Sequence, residues 1–513
     1  MGSITKTLLA GMLFTGLAPA AIEPANDILL RWIPGSGDQS LDAKNVGLLR
    51  EGGVTVVLLP WPSDQATEGF TRACRSAGLR TIAELKPATS LSVARRAAVS
   101  AREAGFKGLA LEADGIFNDE KALQAFFAEQ AGLDLVVYLQ PAQIRWQVAA
   151  AQAVLRAGQW PGVRSGPERS GEEDIEVSSA SREPWVDANS YLVAYLRGMF
   201  PRRPAWLGYR PDPEAGVTRG RAVPYETLEL GLAEAFAAGG NFVLSIEEDY
   251  RKALLGGDPK ALAAWRSLGE TVGFLRQHAG LFRRPNRARL AVIAGTLEQS
   301  GELLNLLYRR NLCPLGISSD AVPTLHPARF RAVVAANIDP PKGADLGRIL
   351  DYARGGGLLI TAPAAGAKRA WWLLPEAANS RTYTDRDIYT FGKGRIIAYH
   401  EPIVDPSEFA LDVIDAVGVR TRDLRLWNAG AVVGVATEDR ATGRVYVTLL
   451  NYAEPRDDDF PLRVDEVFQK ATLLEPRAAR PRELKAVKRG SGTEITVNRL
   501  GRFGLIVLEK SVK

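Results

Sequence analysis

Along the first third of the chain, segments rich in β-branched and aliphatic residues recur at almost even intervals: Ile28–Ile33, Val54–Leu59, Arg80–Leu85, Lys107–Glu112, Leu133–Leu139 and Gln159–Arg164. Their starts lie about 26 residues apart, close to the ~30 residues of one βα unit in an eightfold barrel of ~250 residues. Two wider-spaced segments, Pro204–Tyr209 and Gly240–Ile246, bring the count to eight. The cadence predicts a (β/α)8 TIM barrel over residues 26–282. It also says where chemistry should lie, because such barrels carry it at the C-terminal ends of their strands. Between the strands, Pro141–Ala157 and Tyr225–Ala238 show apolar residues at three- and four-residue spacings, the pattern of helices packed on the outside of a barrel. The one sizeable insertion, residues 164–189, is too long for a tight turn and falls on the catalytic face, as a substrate lid or a surface loop.

A chain of 513 residues is too long for one hydrophobic core. After the joint Arg283-Arg-Pro-Asn286, short buried strands at Leu290–Ala294, Phe330–Ala335 and Gly357–Thr361 alternate with helical patterns at Glu298–Arg309 and Gly343–Arg354, with Gly355-Gly-Gly357 as the helix stop. This is the pattern of a small flavodoxin-like α/β domain over residues 287–420, and no Gly-rich phosphate fingerprint follows its strands. From Leu424 the period switches to two, with strands at Val432–Thr437, Arg444–Leu450, Lys470–Leu474, Glu494–Val497 and Gly504–Leu508, so residues 424–511 read as a C-terminal β-sandwich.

Composition narrows the function classes. The net charge of +5 comes from 64 basic and 59 acidic residues in mixed order, which gives no footprint for nucleic acid. The Arg-rich run Phe282–Arg289 reads as a solvated linker. With three His and no CxxC pattern, a His-rich zinc site is nearly excluded, and no cofactor is called for. Cys74 and Cys313 lie in different domains and read as buried thiols. Residues 1–20 read as a signal peptide: Lys6, the apolar run Leu8–Leu17, then Ala18-Pro19-Ala20 as a cleavage pattern. That predicts export to the periplasm or beyond without stable membrane insertion, since a spanning helix needs ~20 apolar residues.

The strand tips supply the candidate site. Trp32, Trp61, Trp160, Tyr209 and Arg210 lie at or near four of them, and aromatic rings with polar neighbours suit a sugar ring stacked on its C–H face. Acids stand at the same level: Glu84 on strand three, Glu112 and Asp114 on strand four, Glu247 on strand eight. Glycoside hydrolysis needs two carboxyl groups flanking the scissile bond. Strand parity puts Ala110, Glu112 and Asp114 on one face, opposite Leu109 and Leu111, and Ser245 and Glu247 on the inward face of strand eight. The competing reading is that these acids are neutralised by Lys86, Arg31 or Arg210 in a structural network.

The domain order resembles the β-galactosidases of glycoside hydrolase family 42 and related glycosidases. The phrases that carry the likeness are Ala233-Glu-Ala-Phe-Ala-Ala-Gly-Gly-Asn-Phe-Val243, Phe391-Gly-Lys-Gly-Arg-Ile-Ile397, Leu449-Leu-Asn-Tyr452 and Leu500-Gly-Arg-Phe-Gly-Leu-Ile-Val507. The resemblance implies an acid/base Glu at the end of strand four and a nucleophile Glu at the end of strand seven. Glu112 matches the first place, although Leu111 stands where an Asn is usual. Strand seven ends Leu207-Gly-Tyr-Arg-Pro-Asp212 with no Glu, so Asp212 or Glu214 would reach in from the loop, or Glu247 would come from strand eight. The resemblance also implies an amidotransferase-like middle domain that serves in homo-oligomer formation. Ala362-Pro-Ala-Ala-Gly366 after its third strand lacks the Cys an amidotransferase would use. Two readings stay open: an exported glycoside hydrolase acting through Glu112 and a second carboxylate, or an inactive carbohydrate-binding or scaffold protein on the same fold.

Overall fold

The structure is a computed structural model and describes residues 22–35, 39–62, 65–161, 188–210, 223–366, 371, 377–418, 422–429, 431–452 and 459–510. Eight parallel strands close into a barrel: β1 (Leu29–Arg31), β2 (Val56–Trp61), β3 (Arg80–Leu85), β4 (Gly108–Glu112), β5 (Asp134–Leu139), β6 (Gln152–Gly158), β7 (Trp206–Tyr209) and β8 (Asn241–Ser245). Alternate residues point inward, so Leu29, Val56, Leu58, Ile82, Ala110, Val136, Tyr138, Val154, Trp206 and Val243 fill the interior. Their neighbours Leu30, Val57, Leu59, Ala83, Leu109, Leu111, Val137, Leu155, Leu207, Phe242 and Leu244 pack against the helices instead.

Strand six lies elsewhere than the sequence pattern suggests. It is Gln152–Gly158, and the connection before it holds only the single turn Pro141–Gln143 in place of the helix expected over Pro141–Ala157. A strand buried on both sides reads as a continuous apolar run, which periodicity does not separate from a buried helix. The expected strand at Gln159–Arg164 holds Pro161, which offers no N–H to a central ladder. The insertion at residues 164–189 falls almost wholly outside the described residues.

The end of the barrel where the strands begin is closed by charge and by the chain itself. Arg80, first in β3, pairs with Asp27 and with Asp134, first in β5. Asn241, first in β8, donates to the carbonyls of Pro24 and Asp27. Ile22 is buried among the inward-facing residues.

The middle domain is a seven-stranded sheet. Its parallel part, β9 (Leu290–Ala294), β10 (Leu315–Ser318), β11 (Ala332–Ala336), β12 (Leu358–Ala362) and β15 (Gly394–Tyr399), runs in the order β10-β9-β11-β12-β15. Numbered within the domain this is 2-1-3-4-5, the flavodoxin order. An antiparallel hairpin, β13 (Ala378–Thr382) and β14 (Arg386–Phe391), extends one edge. The turn from β14 to β15 needs Gly392, whose φ of 59° disfavours other residues and whose Cβ would meet the Arg354 backbone. The C-terminal domain is a sandwich of four strands (Leu424–Leu426, Phe460–Val464, Gly492–Val497, Ala486–Arg489) on five (Val432–Asp439, Arg444–Asn451, Phe503–Glu509, Lys470–Leu474, Arg482–Leu484). No helix among the described residues is long and apolar enough to cross a membrane.

The three units share contacts that hold them in register. Tyr195 and Met199, on the helix Ser190–Met199 between β6 and β7, belong to the core of the middle domain, and the Tyr195 hydroxyl donates to the Gly295 carbonyl. Gly198 of that helix lies on the backbone of Gly316, where any Cβ would overlap the carbonyl. Gly198→Ala is therefore expected to cost about 1–3 kcal/mol by overpacking against a backbone that has no rotamer to yield, read as a lowered urea midpoint. The Arg residues of the expected solvated linker are engaged: Arg284 with Asp439, Arg287 with Glu466, and Arg289 with Asp423. The linker pattern misled because its charges meet acids far away in sequence.

Candidate functional site

At the C-terminal mouth of the barrel the inward positions change from apolar to polar. Arg31 on β1, Glu84 on β3, Glu112 on β4, Tyr138 on β5, Arg156 on β6 and Ser245 on β8 carry the same parity as the apolar layers beneath them. Arg31 embraces Glu84 with two parallel hydrogen bonds, Nε to Oε2 at 2.9 Å and a shorter one from Nη2 to Oε1. Arg156 holds Glu112 through Nη1 to Oε1 and anchors its own head by donating Nε–H to the Tyr209 carbonyl. The Tyr138 ring lies against both guanidinium groups, 5.5 Å from Arg31 and 5.3 Å from Arg156.

The electrostatics of this group set Glu112 apart. Burial pushes its carboxyl above the usual carboxylate range, further than Arg156 and Arg31 pull it down, and Glu84 and Asp114 add like charge. Its side chain still keeps 27% of its surface exposed, against 7% for Arg156. A carboxyl at a strand tip that is reachable and inclined to hold its proton can act as a general acid.

Strand seven explains the missing carboxylate. Its inward tip position is Gly208, where a Cβ would stand 3.1 Å from Val154 Cγ1 and 3.3 Å from Arg156 Cδ. The Arg156 stem therefore lies across the place a side chain from strand seven would take.

The other expected site residues are placed as follows. Trp32 is fully buried on the helix side of β1 and donates its indole N–H to the Ser40 carbonyl at 3.0 Å. Trp61 packs edge to face on Phe106 and donates to the Ala97 carbonyl at 3.1 Å. Trp160 stacks on Tyr209 at 4.0 Å, and Tyr209 leans on Phe242. All four rings belong to the layer between strands and helices, so the expected aromatic platform at the mouth is replaced by core packing. Parity is the cause: Trp32 shares it with Leu30, Trp61 with Leu59 and Tyr209 with Leu207. Arg210 is half-buried and its backbone N–H donates to the Gly158 carbonyl.

Among the acids, Glu247 caps the helix Glu248–Leu255, accepting from the N–H groups of Asp249 and Tyr250 at 2.8 and 3.2 Å. That local role takes the carboxylate expected to face inward. Asp114 is exposed one step beyond Glu112 at the start of the single turn Gly115–Phe117. Asp212 and Glu214 lie outside the described residues. Glu84 joins Glu112 in one cluster, and its partner is Arg31, one of the three cations foreseen for it. The sequence pattern does not mark Arg156 or Tyr138: with strand six expected at Gln159–Arg164, Arg156 falls on the expected helix Pro141–Ala157.

A hydroxyl in this group has no hydrogen-bond partner: Tyr138 Oη is buried and unpaired, as is Ser245 Oγ on the opposite wall. Leaving such a group unmatched costs about 1–3 kcal/mol. Among the described residues no cluster of three or more His, Cys, Asp or Glu could hold a metal ion. A separate groove of about 480 Å³ lies in the middle domain beside β15, lined by Asp385, His400, Asp405 and Asp412 among others. Three of its acids are engaged in structure: Asp405 caps the helix Pro406–Val417, and Asp385 and Asp412 pair with Arg386.

By sequence, no family model and no curated protein matches the chain. By structure, the whole architecture recurs in glycosidases. α-L-Fucosidase isoenzyme 2 from Paenibacillus thiaminolyticus superposes with a TM-score of 0.56 at 11% identity, covering 96% of this chain and 100% of that one. A GH42 β-galactosidase from G. stearothermophilus, solved as a catalytic mutant, gives 0.56 at 11% identity over 94% and 98%. The β-galactosidase from Bacillus circulans sp. alkalophilus gives 0.58 at 10% identity over 94% and 99%. The chain thus has the GH42-like fold: a TIM barrel, a flavodoxin-like domain and a β-sandwich in that order. At this identity the likeness shows the fold alone, and function has to be argued from the mouth of the barrel.

Proposed function

We propose that the barrel mouth is a carbohydrate site of the glycoside-hydrolase kind, with Glu112 as the group that protonates the leaving oxygen. One observation carries this: Glu112 stands at the inward tip of β4, partly exposed, with its carboxyl pushed up by burial even though Arg156 holds it. Glu84 is the second carboxylate of the cluster, gripped by Arg31 through both of its oxygens, and it takes the role of attacking group or base that two-carboxyl hydrolysis requires. The solved neighbours named above are glycosidases by name, which agrees with this choice among the many chemistries a barrel can host.

A second reading, binding of a carbohydrate without cleavage, is favoured by one specific feature. Arg156 crosses Gly208 at the tip of strand seven and holds Glu112, so the seventh strand supplies no acid and both carboxylates meet an arginine. The proposal extends to location. Cleavage after the pattern Ala18-Pro19-Ala20 would leave a mature chain that begins at Ala21, one residue before Ile22, which is already part of the barrel core, and such a chain would fold after export.

Hydrolysis of a panel of chromogenic aryl glycosides by the wild type and Glu112→Gln decides between the readings. Loss of Glu112 is expected to lower kcat about a hundredfold or more on any substrate the wild type cleaves. Equal rates would remove Glu112 from the role. A wild type that binds sugars by calorimetry but cleaves none of the panel selects the second reading.

A further inference from the structure

Of the two unpaired hydroxyls at the mouth, Tyr138 Oη and Ser245 Oγ, the first belongs to the residue paired in register with Glu112. Tyr138 projects inward from β5 at the register position beside Glu112 on β4. Its ring is clamped by Arg31 and Arg156, so it has little freedom to turn away. Its hydroxyl is buried, makes no hydrogen bond, and feels both carboxylates, Glu84 and Glu112, as well as both guanidinium groups. A buried phenol that nothing satisfies is rare. Here the acidic groups that act on it are the two carboxylates that the arginines hold.

We propose that Tyr138 is a positioning residue of this site: its hydroxyl donates to the Glu112 carboxylate once a hydroxyl-bearing ligand draws Arg156 away from it. Sugar hydroxyls are acceptors that suit a guanidinium fork. As Arg156 turns to the ligand, Glu112 loses a donor, and the phenol beside it on the next strand replaces it. The carboxylate is then held in one orientation under the ligand, and the negative charge it acquires on giving up its proton meets a ready donor. The inference rests on the glycosidase reading and deepens it by assigning the residue that orients the acid.

Tyr138→Phe removes the hydroxyl and keeps the ring against both arginines. Because an unmatched buried group is lost, the thermal midpoint of the ligand-free variant is expected to be unchanged or raised. With a cleaved aryl glycoside, kcat is expected to fall about tenfold to a hundredfold with KM little altered. The alkaline limb of the kcat–pH profile should move to higher pH, since Glu112 has lost a donor that favours its ionised form. A merely structural tyrosine would lower the thermal midpoint and leave that limb in place, and this result overturns the proposal, as does a profile identical to the wild type. Glu112→Gln, run alongside, separates the two claims: loss of activity there with an unaltered Tyr138→Phe removes the positioning role and keeps the acid. If the wild type binds sugars without cleaving them, Tyr138→Phe is expected to weaken the calorimetric Kd at least fivefold, and an unchanged Kd overturns the proposal. A wild type that neither cleaves nor binds overturns the reading and this inference together.

Discussion

Arg156→Ala is expected to destabilise the protein by about 3–5 kcal/mol at neutral pH, the range found when one partner of a buried ion pair is removed. Glu112 is partly solvated, so the lower end applies. Three losses combine at one residue: the counter-ion of Glu112, the donor to the Tyr209 carbonyl, and the stem that lies over Gly208. The loss should depend on pH in a definite sense. The folded-state pKa of Glu112 already lies above the ordinary 4.5, because burial outweighs its arginines. Without Arg156 it must rise further. A carboxyl whose folded pKa is raised contributes stability that is fully present below the unfolded value and disappears as pH rises through the folded one. Urea unfolding at pH 5 and pH 8 should therefore show a larger deficit at pH 8. Adding Glu112→Gln should restore much of it, since the buried charge is then gone. A deficit equal at both pH values and indifferent to Glu112→Gln would mean that the pair is not what holds this wall of the barrel.

What the sequence disclosed and what it concealed can be traced to particular positions. Strand three matches its pattern from Arg80 to Leu85, and the helix Gly343–Arg354 ends at the first glycine of the run that marks its stop. Both are bounded by strong local signals. Strand six carries no such signal: Gln152–Gly158 is mostly buried, with Gln152 and Arg156 breaking its apolar inward face, and Ala149, Ala150 and Ala151 stand where turn residues would have marked its start. Misplacing it by a few residues hid Arg156 and with it the partner of Glu112. The aromatic tips were a different kind of error. Parity placed Ala110 and Glu112 on the inward face of strand four, where they are, and the same rule sends Trp32 and Trp61 to the helix side with Leu30 and Leu59. The signal was present, but aromatic identity outweighed it. The scaffold phrases also had more content than their sequences disclosed. Glu234 in one and Tyr452 in another meet in a hydrogen bond across the barrel–sandwich junction, and Phe503 of a third packs on Phe274 and Phe282. Contacts between segments more than 200 residues apart leave no trace in local periodicity.

That junction yields the second large effect, a loss of stability as pH rises towards neutrality. Glu234 is fully buried on the helix Thr227–Ala237. Its carboxyl accepts from the Asn189 backbone at 2.8 Å, the Asn189 amide at 2.6 Å and the Tyr452 hydroxyl at 2.8 Å. Each of these partners is neutral, and the Tyr209 phenol faces it as well. Burial pushes its pKa up to about 7 from 4.5 in spite of these donors and the Ser190 backbone N–H. The folded state thus binds this proton more tightly than the unfolded chain does. Its stabilising contribution is complete below pH 4.5 and is lost as pH rises through about 7, roughly 3.5 kcal/mol in all at about 1.4 kcal/mol per pKa unit. Glu234→Gln removes the titration. Asp423, pushed up to about 6 by burial, and Glu112 slope in the same direction, so the informative quantity is the difference between wild type and variant. Between pH 5 and pH 8 the wild type should lose about 2.5 kcal/mol more than Glu234→Gln in urea unfolding, and parallel pH profiles would refute the assignment. Because Tyr452 belongs to the sandwich and Asn189 leads into the helix that the middle domain shares, ionising one carboxyl weakens the place where all three units are tied.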